Sequence, residues 1–280
     1  MEKIRKAVIT AAGTGTRLLP FTKETPKEML PYCVKSHDGK PILKPILQVI
    51  YESIFNFGIR EFCFVVGRSK RSIEDHFLTD QTNSNISKNK ELIEFFKKVQ
   101  KCHLAYVQQS SQKGFGDAVL KAKLFVGNDS FLLHAGDDVI LSRNNNHLKR
   151  LEKAFLDNDA DIAFLVNRVR DPRPYGVIEG RKIKTGILRV KNLEEKPSKP
   201  KSNLAVIATY LFKPSIFKIL EKTKPDYKGE IQLADAVKEI IKNGKTFAVE
   251  LKSKEKRVDV GTPESYVKCL NESFRNLKRL

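Results

Sequence analysis

Short runs of branched and aromatic residues recur along the chain, separated by stretches in which apolar positions return every three or four residues. IRKAVITA (4–11), EFCFVVG (61–67), HLAYVQQ (103–109), FLLHAG (131–136) and DIAFLV (161–166) are short and strongly apolar, the pattern of buried strands. Between them, PILKPILQVIYESIFNFG (41–58) sets Ile46, Val49, Ile50 and Ile54 on one helical face and ends at Gly58, where a C-cap glycine belongs. GDAVLKAKLFVG (116–127) repeats that arrangement and ends at Gly127. Strands alternating with helices of this length predict an α/β fold built on a doubly wound, mostly parallel sheet with both faces covered.

After about residue 170 the texture changes. PYGVIEG, GILRVKNLEEKP and NLAVIATYLF come one after another with no long helix between them, which predicts a smaller antiparallel sheet added to the first. Helical stretches are expected near 214–222 and 230–243, then a strand at TFAVEL and a last helix opened by Thr262-Pro263-Glu264. No internal repeat or low-complexity linker interrupts the chain, so 1–280 is read as one domain. The polar tract TDQTNSNISKNK (79–90) is the expected mobile loop.

Composition narrows the function classes. With 280 residues, 40% of them hydrophobic, the chain can bury one large core or two fused ones. Lys and Arg number 52 against 33 Asp and Glu, a formal charge of +19 that suits an acidic partner: nucleic acid, anionic lipid or a phosphorylated metabolite. The lysines are scattered rather than gathered in one block, which also fits a plain solvated surface. Cys33, Cys63, Cys102 and Cys269 lie far apart with no C-x-x-C pair, so neither a zinc site nor a redox motif is encoded locally. The N-terminal apolar run is too short for a signal segment, and no stretch approaches the ~20 apolar residues of a membrane span. Free thiols in a reducing cytoplasm are the expectation, with the Asn-x-Ser sequons at Asn85, Asn128 and Asn271 arising by chance.

The chemistry gathers first in AAGTGTRLLPFTKETPKEMLP (11–31). A strand running into Ala11-Ala12-Gly13-Thr14-Gly15-Thr16 delivers a small-residue turn at the strand's carboxyl end, where open α/β sheets bind ligands. Consecutive N–H groups in such a turn can cradle phosphate oxygens, and Arg17 adds a planar donor fork. A Walker A loop and a dinucleotide fingerprint both fail on spacing, since Leu18 stands where a third glycine would be needed. Pro20 and Pro26 prevent a helix, leaving an ordered loop that brings Lys27 to the same cavity.

This stretch resembles the signature of sugar-nucleotide pyrophosphorylases, and within them the bacterial-type UTP–glucose-1-phosphate uridylyltransferases. QQSSQKGFGDAV (108–119), LHAGDDVIL (133–141), PYGVI (174–178), EEKPSKPKSNLA (194–205), GEIQLADA (229–236) and VDVGTPESYVKC (258–269) resemble the later blocks in the family's order, so the likeness covers nearly the whole chain. It implies a Rossmann-like nucleotidyltransferase fold in which 1–170 mainly binds the nucleotide, 171–260 mainly binds the sugar and 261–280 forms a C-terminal helix. It also implies a cytoplasmic homo-oligomer, dimer or tetramer, that joins UTP to glucose 1-phosphate with Mg²⁺ and interacts with neither nucleic acid nor membrane.

The resemblance carries roles to particular residues. Arg17, Lys27 and Lys196 are the expected catalytic cations, with Lys196 on the sugar phosphate. Ala11, Ala12, Gly13, Thr14 and Gly15 would hold the nucleotide phosphates, Gln109 and Gly114 the pyrimidine edge, and Gly176 and Glu195 the sugar. Asp137 and Asp259 are the expected metal ligands, and Asp138 is placed with the substrate-binding residues. The chemistry asks for cations rather than a nucleophile and base. A phosphate monoester has a second pKa near ~6, so the attacking oxygen is already anionic, and catalysis becomes positioning and charge stabilisation.

Two departures from the family pattern bear on specificity. Ala208-Thr209-Tyr210 stands where a glycine usually precedes an aromatic strand, and G-F-G-D replaces a glycine-rich segment that more often ends in His. A dTTP-using or other-sugar-phosphate-using transferase therefore stands as the alternative. From another class, a non-catalytic or nucleic-acid-binding relative would interleave basic and aromatic residues on one sheet face, or lack the charged site residues. This chain has no Trp, carries its aromatics mostly inside apolar runs, and retains Arg17, Lys27, Asp137 and Asp259.

Overall fold

A computed structural model describes residues 3–78 and 88–277. The chain begins with β1 (Lys6–Ala11), a loop of single 3₁₀ turns, and the antiparallel pair β2 (Pro31–Lys35) and β3 (Pro41–Pro45). Next come α1 (Ile46–Phe57), β4 (Glu61–Val66), α2 (Arg71–Phe77), α3 (Lys90–Val99), β5 (His103–Gln108), α4 (Gly114–Lys121), α5 (Lys123–Val126), β6 (Phe131–Ala135) and β7 (Asp138–Leu141). The second half comprises α6 (Asn146–Asp157), β8 (Ile162–Arg168), β9 (Gly176–Lys184), β10 (Ile187–Glu195), β11 (Leu204–Phe212), α7 (Ser215–Leu220), α8 (Leu233–Asn243), β12 (Thr246–Glu250), β13 (Lys256–Asp259) and α9 (Pro263–Leu277).

Nine strands form one sheet in the order β5-β4-β1-β6-β11-β8-β12-β10-β9. Tracing the pairings from strand to strand, all run the same way except β10 and β11, so the mostly parallel α/β architecture stands. The antiparallel hairpin β9–β10 extends the main sheet through β12. β9 also meets β11 at Val177 and Ala205, so the strands β11-β8-β12-β10-β9 curl towards a ring.

The burial pattern explains the near-continuous apolar runs. Ala7, Ile9 and Ala11 of β1 and Phe62, Phe64 and Val66 of β4 join one core cluster, beneath α1, α2, α3 and α6. Val8, Cys63 and Val65 point to the other cluster, beneath α4, α7 and α8. Helices on both faces leave no strand face for polar residues.

Sequence and structure part at three boundaries. Residues 41–45, read as the start of a helix, form β3, and α1 begins only at Ile46 because Pro45 has extended backbone (φ −56°, ψ 142°) and offers no N–H. The helix expected over 116–127 divides at Ala122, whose N–H reaches Val119 in a 3₁₀ bond. The helix expected from 230 begins at Leu233, because Ile231 is extended between Lys113 and Gly116 and bonds both backbones. The 79–90 tract lies, but for its last three residues, outside the described residues. Among the described residues no helix is long and apolar enough to cross a membrane.

A two-stranded clip beside the main sheet brings distant parts of the chain together. β13 pairs antiparallel with β7, setting Asp259 opposite Asp138. Arg257 Nε donates to both carboxylate oxygens of Asp138, at 2.9 and 2.8 Å, and its guanidinium lies 5.0 Å from the Tyr175 ring. Both partners of this ion pair are nearly sealed from solvent. Arg257→Met should leave the Asp138 carboxylate buried without a cation, held only by the Ala208 backbone, and cost about 3–5 kcal/mol, read as a fall in denaturation midpoint. The double variant Asp138→Asn/Arg257→Met should recover part of that loss, a coupling that a double-mutant cycle measures directly.

Three histidines make the fold sensitive to acid. Burial pushes the imidazoles of His76 and His134 down to about 4 and that of His147 to about 3. Each stays neutral in the folded protein while the unfolded chain takes up a proton near its ordinary value of ~6.5. The stability they contribute is therefore present above that value and lost as pH falls towards the folded values. Lowering pH from about 7 to about 5 should cost a few kcal/mol and lower the melting temperature, and an unchanged melting temperature would mean that these rings take up protons equally in the folded and unfolded chain.

Candidate active site

A cleft of about 830 Å³ opens at the carboxyl ends of β1 and β6 and runs across to the ends of β9 and β10. The turn after β1 forms its near wall. Ala11 and Ala12 are buried, Gly13 and Thr14 are exposed, and Ala12 and Gly13 line the cleft. Gly15 has φ +66°, a left-handed conformation closed by Thr22 Oγ1 and Leu18 N–H, both donating to the Gly15 carbonyl at 2.8 Å. That position needs glycine for its backbone. Gly13 has a different reason: a Cβ there would sit 3.6 Å from Lys27 Nζ, in the space between the turn and that ammonium. Ala11, Thr14 and Gly15 shape the turn rather than line the cleft.

Lys27 enters from the 3₁₀ turn that comes after Pro26, and its Nζ donates to Asp137 Oδ2. Asp137 sits in the tight turn between β6 and β7, and Asp259 ends β13; both line the cleft. Burial alone would depress the Lys27 ammonium, but Asp137, Glu28 and Asp259 outweigh it and hold the group above its usual value. For Asp137 burial works upward, and the Lys27 charge and hydrogen bond hold the carboxyl below its usual range. Asp259 has its carboxyl pushed up by burial against the pull of Arg257, with Asp138 and Asp137 adding to the rise. Beneath Lys27, the buried Glu28 carboxylate accepts from Lys70 Nζ at 2.8 Å and so anchors the turn. Arg17 also lines the cleft; a Cβ at Gly261 would lie 3.3 Å from Asp259 Oδ2 and 3.7 Å from Arg17 Nη2, so the two approach the same glycine.

Asp138 does not join this group. Its side chain is buried and committed to Arg257, whose guanidinium lines the cleft, while Asp137 in the preceding turn meets Lys27. Asp138, expected among the substrate-binding residues, thus stands behind the cleft-lining Arg257.

At the far end Gly176 pairs with Glu195 across the β9–β10 ladder, and a Cβ at Gly176 would lie 3.0 Å from Glu195 Oε2. Lys196 leaves β10 with φ +45°, its N–H bonded to the Tyr175 carbonyl at 3.0 Å and its Nζ 3.4 Å from Glu195 Oε1. The loop thus holds Tyr175, Gly176, Glu195 and Lys196 together at the cleft. Ala208, in place of the expected glycine, lines the floor from β11.

At the nucleotide-side helix, Gln109 comes directly after β5 and Gly114 opens α4 with φ +90°. Gln109 Nε2 donates to the Gly114 carbonyl at 3.0 Å and to Asp117 Oδ2 at 2.8 Å. A Cβ at Gly114 would meet the Ile231 carbonyl at 2.7 Å, so the helix start can pack against 230–231 only as glycine.

The cleft thus collects Arg17, Lys27, Lys196, Ala12, Gly13, Gln109, Gly114, Gly176, Glu195, Asp137 and Asp259. Sequence reasoning missed Arg257, Lys70 and Asp117. Arg257 had a legible signal, because it stands two residues before Asp259 on one strand and so shares its face.

Comparison with known proteins agrees with this geometry. Residues 6–275 match the family described as Nucleotidyl transferase. The chain is 39% identical over 279 residues to UTP–glucose-1-phosphate uridylyltransferase 2 of Streptococcus pyogenes serotype M3, covering 96% of this chain and 89% of that one. It is 36% identical to the UTP–glucose-1-phosphate uridylyltransferase of Pseudomonas aeruginosa, over 98% of this chain and 97% of the relative. A UDP-glucose pyrophosphorylase crystallised with UDP-glucose superimposes with a TM-score of 0.86 at 34% identity, over 98% of this chain and all of that one. The chain belongs to the nucleotidyl transferase family, alongside the bacterial UTP–glucose-1-phosphate uridylyltransferases.

Proposed function

We propose that this chain joins UTP and glucose 1-phosphate to give UDP-glucose and pyrophosphate. The observation that carries the reading is a single cleft lined by Arg17, Lys27, Asp137 and Asp259 together with Gly176, Glu195 and Lys196. A phosphate oxygen of the sugar attacks the α-phosphorus of UTP, and the bond to the pyrophosphate oxygen breaks. No proton has to be removed from the attacking oxygen. Lys196 holds the sugar phosphate and Glu195 accepts from sugar hydroxyls, while Arg17 and Lys27 meet charge that migrates to the leaving pyrophosphate.

The uracil edge is met by groups of matching polarity. Both donors of the Gln109 amide are spent on Gly114 and Asp117, which leaves Oε1 to accept from the ring N3–H. The Gly114 N–H belongs to the first turn of α4, where N–H groups have no acceptor within the helix, and it can donate to a base carbonyl.

Asp137 and Asp259 fit Mg²⁺, which typically takes one or two carboxylates and completes its shell with substrate phosphates and water. The two carboxylates line one cleft, a donor set that leaves the remaining positions to substrate and water. Bound there, the ion would supply positive charge beside the triphosphate.

Pyrophosphate release measured for UTP, dTTP, CTP and ATP against a panel of sugar 1-phosphates should be fastest for UTP with glucose 1-phosphate; a faster reaction with another pair would replace this reading. Arg17→Ala and Lys27→Ala should each lower kcat by about 10² to 10³, the scale of one lost transition-state donor. Gly13→Val should abolish UTP binding in calorimetry with an unchanged melting temperature, since the added branch fills the gap before Lys27. Asp137→Asn and Asp259→Asn should each lower turnover strongly, and activity should vanish in excess chelator and return with added Mg²⁺.

A further inference from the structure

Asp117 is nearly fully buried, in the first turn of α4. It stands at the end of the G-F-G-D segment, where the resembling family more often has His. Its two oxygens have separate partners: Oδ2 accepts from Gln109 Nε2 at 2.8 Å, and Oδ1 faces Lys121 Nζ at 3.3 Å, one helical turn on. Gln109 is itself 5% exposed, and its second amide hydrogen goes to the Gly114 carbonyl. Both groups around that amide are acceptors, a carboxylate and a carbonyl, so only the NH₂ end can face them.

We infer that Asp117 is a positioning residue for base selection: it locks the Gln109 amide with Oε1 towards the nucleotide and thereby excludes cytosine. This rests on the reading of the cleft as a pyrimidine nucleotide site. Uracil and thymine present an N3–H donor to Oε1. Cytosine presents a lone pair at N3, which needs a donor opposite it. Turning the Gln109 amide over would supply one, but would set its oxygen against the Asp117 carboxylate and the Gly114 carbonyl. Buried acceptors left facing one another cost heavily, and the wrong base is refused for that reason. Sequence distance hides the device, since Asp117 acts on the base only through Gln109.

Calorimetric titration with UTP, dTTP and CTP tests it on the wild-type protein, Asp117→Asn and Lys121→Met. Asp117→Asn is isosteric and can donate from its amide, so the turned-over Gln109 gains a donor in place of the carboxylate and only the Gly114 carbonyl still opposes it. The ratio of CTP to UTP dissociation constants should fall by about tenfold or more in that variant. The ratio of dTTP to UTP should stay at its wild-type value, because thymine shows the same edge. Lys121→Met keeps the Asp117–Gln109 bond and should leave both ratios unchanged. Should Asp117→Asn fail to fold, Asp117→Ser removes the same fixed acceptor and should move the ratios the same way. A CTP to UTP ratio unchanged in a folded Asp117 variant overturns the inference, as does equal weakening of all three nucleotides. Because binding is read rather than turnover, a protein that binds UTP but makes no UDP-glucose would fail the proposed reaction while these ratios still decide the lock.

Discussion

Two consecutive carboxylates in the middle of the chain hold its two ends together. Asp137 meets Lys27, 110 residues earlier, and Asp138 meets Arg257, 119 residues later. Asp137 in the turn before β7 and Asp138 at its start each bind a different cation, so one dipeptide serves two distant segments. The loop after β1 is thereby fixed against the turn after β6, and β13 is fixed against β7. Everything the cleft requires of these three segments depends on that division: the Lys27 ammonium in place, Asp259 beside Asp137, and Tyr175 drawn against Arg257.

The division also explains why so basic a chain has a charge-balanced cleft. Lys27, Asp137 and Asp259 lean on one another, and Glu28 with Lys70 supports them from below. Charges taken out of water are costly unless paired, so the site rests in pairs. The Lys27 ammonium is thus already matched by a carboxylate in the protein itself. The surplus of Lys and Arg over Asp and Glu lies elsewhere, on many exposed side chains such as Lys97 and Arg71, where it gives the surface its field.

The five strands read from apolar runs were legible because a doubly covered sheet leaves no polar alternation to blur them, as in β4 and β6. The start of α1 was not, because PILKP is as apolar as the first turns of the helix itself, and only its pairing with β2 makes it a strand. In the site, Gly13, Arg17 and Lys27 were legible because they share one continuous stretch. A doublet of like residues does not reveal which member meets Lys27 and which meets Arg257, because those partners lie 110 and 119 residues away. Asp117 and Lys70 escaped because their roles are bonds to residues eight and forty-two positions away that no local pattern encodes.

The extra contact between β9 and β11 has a mechanical meaning. A last strand that reaches back to an inner one is tied at its start, where Val177 meets Ala205, while the rest of its outer edge stays open to solvent. The strands behind Gly176 and Glu195 are joined without interruption to those behind Gly13 and Asp137, so one sheet sets the span of the cleft. Whatever breathing admits ligands and releases products falls to the short connections at the rim: the 3₁₀ turns after β1 and the loop from Pro174 to Gly176.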